Sequence, residues 1–303
     1  SAFVEGGNWN PDGLYASKPL VDFMWDKNDP RLDAFFAPNG YAQDTIDILI
    51  KEGELEAGTM EAARRYFGSF TSPDDATAAV NRPYYTARTA TVAENQRRID
   101  TLSLIQRRLF QPSFNERSEA GGAGNGNVFI PVITYAEFCF MRAELAARNI
   151  TGEDAQTFYE EGVRSSIQWY NQLALEGKLL HYSSANDQEI EDYLAQPGIA
   201  FDPGIALDQI ASQAYIHFFK QPAEGWALWK RTGMPNTTTV VALTDMKTSG
   251  ASLRIPRRAP LPLLNTTSSN YENQKAAYDQ MAQDPAFGLS PTDAFGRVWW
   301  DVP

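Results

Sequence analysis

The chain has 303 residues, enough for one large domain or two smaller ones, and its 43% hydrophobic and 21% charged content is that of a globular protein. Thirty-eight acidic against 26 basic side chains leave a formal charge of -12, which repels phosphate backbones and anionic lipid headgroups and argues against nucleic acid as a partner. A single cysteine, Cys139, excludes an intramolecular disulfide framework and a multi-cysteine metal site, and no run of about 20 apolar residues is present to span a bilayer as a helix.

Asn8 to Gly13 is rich in turn formers, and Ser17 with Pro19 two residues on marks a helix start, with Leu20, Val21, Phe23 and Met24 turned to a core. Asn28-Asp29-Pro30 ends that helix, because the residue before a proline is pushed out of helical geometry. From Ala42 to about Tyr85 the pattern is mixed, interrupted by Gly53, Gly58 and Gly68, and specifies no element. Ser118 to Asn127 carries four glycines without the spacing of a phosphate-cradling loop and reads as a mobile surface connection. It separates an irregular, loop-rich front, 1–130, from a helical back, 131–303.

Tyr135 to Arg148 is apolar almost all round and predicts a helix buried between others, with Cys139 a buried structural thiol. Asp154 to Glu176 is amphipathic, with Tyr159, Val163, Ile167 and Tyr170 on one stripe. Joined by Asn149 to Glu153, the two form an antiparallel pair of the kind tetratricopeptide arrays repeat. A third helix is predicted over Ala206 to Lys220. A fourth opens at Pro222 and stops at Gly233, and a last short one covers Asn270 to Gln283. Between the last two, Ile255 to Pro262 holds three prolines and must be extended chain. The fold class is mainly α: tetratricopeptide-like helical pairs with long irregular loops.

Four segments in order carry a resemblance. They are Asn28-Asp29-Pro30-Arg31-Leu32; Tyr135-Ala136-Glu137 with Arg142-Ala143-Glu144; FFKQPAEGWALWKRTGMP over 218–235; and IPRRAPLP from Ile255, followed by Asn270-Tyr271-Glu272-Asn273. Together they resemble the SusD/RagB family and span nearly the whole chain as one SusD-like domain, 1–303. The resemblance implies a non-catalytic, cell-surface binder of a nutrient glycan, or in some members a peptide, that hands its ligand to a SusC-like TonB-dependent transporter. It also implies an outward-facing place on the outer membrane, held by a lipid anchor that this chain lacks. Family members are longer and start with a signal peptide, a lipidated cysteine and further helices, so the chain reads as the C-terminal part of such a protein.

A glycoside hydrolase is the rival reading, since Asp74/Asp75, Glu160/Glu161 and Glu189/Glu191 offer carboxylate pairs. Carboxylates side by side on a helix more commonly form a solvated face, and no GxSxG elbow or metal-spaced histidine supports catalysis, so no catalytic residue, cofactor or metal is expected. His217 reads as a satisfied core residue and Trp226 and Trp229 as core packing, while Arg231, Arg257 and Arg258 are expected to tie extended chain to helix ends. Aromatics make 12% of the chain, and those in irregular segments are the ones placed to stack on a sugar. The expected platform is Trp9, Tyr84 and Tyr85, with Asn115 and Arg117 as hydroxyl partners.

Overall fold

The computed structural model describes residues 15–92, 94–111, 129–180 and 182–298. Ten α-helices are found among them: α1 Lys18–Asp26, α2 Leu32–Phe35, α3 Gln43–Lys51, α4 Pro73–Thr77, α5 Tyr135–Ala147, α6 Ala155–Glu176, α7 Asp187–Leu194, α8 Ala206–His217, α9 Pro222–Thr232 and α10 Tyr271–Met281. Two small antiparallel hairpins, β1 Ala87–Val92 with β2 Asn95–Asp100 and β3 Lys247–Thr248 with β4 Ala251–Ser252, are the strands.

The α5–α6 pair is the centre of the scaffold. The Thr134 hydroxyl accepts from the Glu137 amide at 3.1 Å and Asp154 accepts from the Thr157 amide at 3.1 Å, so each helix has its first turn capped. Gly162 of α6 allows the close approach: a Cβ there would meet Phe140 Cε1 at 2.7 Å. The predicted stripe Tyr159, Val163, Ile167 and Tyr170 is buried, and its first three members pack with Phe140, Ala143, Ile190, Ile210 and Leu228. Each such side chain contributes on the order of 2 kcal/mol of burial.

The front of the chain joins the same body. Met24 of α1, Phe35 of α2 and Leu109 pack with Tyr170, Leu173 and Ile216 in one core. Phe35 lies parallel to Phe219 at 4.1 Å and edge-on to Tyr170 at 4.5 Å. In the stretch that the sequence left unassigned, α3 and the β1–β2 hairpin form a small lobe around Leu49, Ala90 and Ile99. Few positions on each element are buried there, so no periodicity strong enough to read was available.

Two expectations need correction, and one helix was not foreseen. The α5 helix is not buried all round: Tyr135, Phe138, Met141 and Leu145 form an exposed stripe, because α6 and α8 cover only the opposite side. Asn186 builds a capping box with Glu189 and starts α7, a helix to which the sequence reading gave no element. In α9 the buried residues are Gly225 and Leu228, so Trp226, 40% exposed, and Trp229 flank the packing stripe and stack on each other at 5.4 Å. The helix does end as predicted, with Gly233 in the left-handed region at φ 71°.

Candidate ligand-binding site

The Asn28-Asp29-Pro30-Arg31 turn is held from below by a buried polar network. Arg31 donates to Asp29 through Nε at 2.8 Å and Nη2 at 2.6 Å, to the Ser166 hydroxyl at 2.9 Å, to Tyr193 at 3.1 Å and to Gln213 at 2.9 Å. Burial works against its charge, yet Asp29 beside it holds the guanidinium above its ordinary value. His217 continues the network, with Nδ1 3.0 Å from Ser166 and Nε2 2.6 Å from Thr134, as the satisfied core residue expected of it. Burial first, and then the Arg31 charge, lower its pKa to about 3.

On this frame lies a cleft of about 790 Å³ between the turn and α7. Trp25, half-buried at the end of α1, forms one wall, and Asn28, Asp33, Ser183, Glu189, Asp192 and Gln196 add amide, hydroxyl and carboxylate groups. Such a set suits a ligand that is apolar on one face and rich in hydroxyls at its edge.

An aromatic belt runs on from Trp25. Its ring lies 6.0 Å from that of Tyr66, and the Arg64 guanidinium sits 5.6 Å from the Trp25 ring and 5.4 Å from the Phe67 ring. Phe67 meets Tyr84 at 5.9 Å, Phe70 meets Tyr84 at 5.2 Å, and Tyr84 meets Tyr85 at 6.3 Å. Asp22 pairs with both Lys18 and Arg64, and Lys18 lies over Phe70 and Tyr84. Burial, and then the Asp33 carboxylate from the cleft, raise the Tyr66 pKa, which ties belt and cleft together. Gly68 seats the belt on α1: a Cβ would come within 2.4 Å of the Lys18 backbone.

Of the platform expected from sequence, Tyr84 and Tyr85 are therefore brought together, half-buried, in a 3-10 turn spanning Ala79–Tyr85. Trp9, Asn115 and Arg117 lie outside the described residues, as do His181 and the glycine-rich run. Trp25 and Tyr66 were missed. Trp25 sits in a helix whose apolar positions claimed the attention, and only its place two residues before the turn at Lys27 and Asn28 hinted at a role beyond packing.

Four of the six carboxylates weighed for catalysis have structural partners. Asp74 accepts from the Ser249 and Gly250 amides at 2.8 Å each, Glu160 and Glu191 share Arg164, and Glu189 completes the α7 cap. Arg231 pairs with Glu144 of α5, while Arg257 donates to the Lys230 carbonyl at the end of α9 and Arg258 to the Asp293 carbonyl. Among the described residues no group of three His, Cys, Asp or Glu side chains is gathered to hold a metal ion, and no helix is long and apolar enough to cross a membrane.

Helical pairs around a continuous core, with the cleft and belt carried on the connections, make this a tetratricopeptide-like helical protein. The chain belongs to the SusD-like family, described as starch-binding and associating with the outer membrane, whose sequence profile matches residues 6–262. The motif resemblance is thereby borne out. Similar solved structures include a SusD-like protein of Bacteroidetes AC2a, 24% identical over 95% of this chain and 54% of its own, with a TM-score of 0.50. A chitin-binding protein is 22% identical over 95% and 50%, with a TM-score of 0.55, and a SusD homologue of Bacteroides fragilis is 18% identical over 94% and 51%, also at 0.55. The chain spans about half the length of these structures. No curated protein matches it.

Proposed function

We propose that this chain forms part of a surface receptor that binds a nutrient glycan without cleaving it and passes it to a SusC-like TonB-dependent transporter of the outer membrane. The observation that carries the reading is the Trp25 wall of the cleft, which brings an indole ring together with amide, hydroxyl and carboxylate groups and continues into the belt ending at Tyr84 and Tyr85. Sugar rings need such a pairing of apolar face and planar hydrogen-bonding edge. The family description and the chitin-binding neighbour support a glycan as ligand, and the structural engagement of four of the six candidate carboxylates supports capture over hydrolysis.

A glycan-array screen followed by calorimetry tests it, with Trp25→Ala and the double variant Tyr84→Ala/Tyr85→Ala beside the unaltered chain and product analysis in each titration. Saturable binding without cleavage, weakened by Trp25→Ala, is the expected result. Cleaved product, or glycan binding indifferent to both variants, overturns the assignment.

A further inference from the structure

A second cavity, of about 360 Å³, lies between α5, α8 and α9, on elements that do not border the Trp25 cleft. Phe140, Met141, Ile210 and Leu228 make apolar walls. Glu137 projects from the first turn of α5 into this space; the residue is 8% exposed, and its Oε2 is buried without a hydrogen-bond partner. The Oε2 of a carboxylate so placed keeps an unanswered desolvation cost unless a proton or a cation meets it.

Of the two cations lining the cavity, Arg231 is held in an ion pair with Glu144, and the Lys230 ammonium lies 6.0 Å from the centroid of the Trp226 ring. Burial pushes the Glu137 carboxyl up, a hydrogen bond from the Thr134 backbone opposes part of that rise, and the neighbouring Glu224 carboxylate adds to it. Glu224 itself is exposed at the cavity mouth. The arrangement is a pocket with apolar walls, Glu137 at its floor and Glu224 at its rim, bordered also by the Glu144–Arg231 pair and by Lys230.

We infer that this pocket binds a protonated amine or guanidinium on a hydrocarbon stem, the chemistry of a lysine or arginine side chain. The stem lies along Phe140, Met141 and Leu228 while the cationic head donates to Glu137 Oε2, with Glu224 favouring entry. Charge-assisted hydrogen bonding in a low-dielectric site makes the pocket selective for a cation over a neutral group of the same shape.

The test is an NMR titration of the whole chain, following the Met141 methyl, with n-pentylammonium, n-pentanol and the capped peptide acetyl-Leu-Lys-Leu-amide as probes. The expected result is saturable pentylammonium binding that shifts Met141, at least about tenfold tighter than pentanol and about tenfold weaker in Glu137→Gln. Peptide binding with the same Glu137 dependence would mark a polypeptide side chain as the source, and pentylammonium binding alone a free amine. If Glu137→Gln does not fold, the exposed Glu224→Gln replaces it, with an expected loss of about threefold. Equal affinity for pentanol, binding unchanged in the folded variant, or no Met141 shift with any probe overturns the inference. None of these outcomes bears on the Trp25 cleft.

Discussion

Arg31 and Asp29 form an ion pair whose side chains are 1% and 0% exposed, two residues apart in a turn that the rest of the protein closes over. The pair is isolated from water, and its remaining donors are used by α6, α7 and α8 through Ser166, Tyr193 and Gln213. Local sequence makes the pair, but three distant helices complete it. The turn is thereby fixed at the point where it lines the cleft.

Replacing Arg31 with methionine leaves Asp29 buried without its cation and strands acceptors on Ser166 and Gln213. The expected loss is about 3–5 kcal/mol in chemical denaturation, a large share of the roughly 5–15 kcal/mol of a typical domain. Arg31→Lys is expected to recover little, since a single ammonium cannot reproduce the forked contacts to four partners. A midpoint in Arg31→Met within experimental error of the unaltered chain would remove the network from the account of stability.

His217 gives the fold a pH dependence with a definite sign. Its pKa is lowered from the ordinary 6.5 to about 3 by burial and by Arg31, so between these values the unfolded chain binds a proton that the folded chain refuses. Stability is fully present above about pH 6.5 and falls as the pH drops toward 3, by an amount on the order of several kcal/mol over the whole window. Urea midpoints measured from pH 7 to pH 4.5 should fall more steeply for the unaltered chain than for His217→Gln. Parallel curves would show that the imidazole does not carry the effect.

Legibility followed the strength of the local signal. The α5–α6 pair, α8 and α9 were readable because long apolar periodicity, proline starts and Gly233 coincide with the buried pattern. The family motifs were readable as words, whereas their physics was not. Arg31 meets residues 135, 162 and 182 positions away, and Glu144 of one motif pairs with Arg231 of another 87 positions away. Pairings at that separation leave no periodicity. The exposed stripe of α5 is an apolar pattern without a covering element, so sequence alone assigned it to the core. In the candidate site, Tyr84 and Tyr85 were visible as loop aromatics, but Trp25 joins the cleft only through the folded course of the chain.

Cleft and belt are separable in binding experiments. Trp25→Ala removes the aromatic wall and is expected to weaken glycan binding by about tenfold or more, because one stacking face contributes roughly 1–3 kcal/mol. Tyr84→Ala acts farther along the belt and is expected to weaken long oligosaccharides more than short ones. Calorimetry against a chain-length series checks the contrast. An equal effect of both variants at every length would place the two surfaces in a single subsite.

Two glycines that permit close approach should differ in cost, and the difference reports on how the belt is seated. At Gly162 an added methyl meets the Phe140 ring at 2.7 Å, and a ring can turn aside within the α5–α6 contact. At Gly68 it meets the Lys18 Cα and N at 2.4 Å, atoms of the α1 backbone that cannot move without shifting the strap formed by Ser17 and Ser69. Overpacking costs typically about 1–3 kcal/mol, and Gly68→Ala is expected at or above the upper end with Gly162→Ala nearer the lower. Displacing the strap also carries Phe67 and Phe70 away from Lys18 and Arg64, so Gly68→Ala should reduce glycan affinity at temperatures where the chain remains folded. Gly162→Ala, remote from the belt, should leave affinity unchanged. Paired melting and calorimetric titrations check both halves, and a Gly68→Ala chain with undiminished affinity would detach the belt from ligand capture.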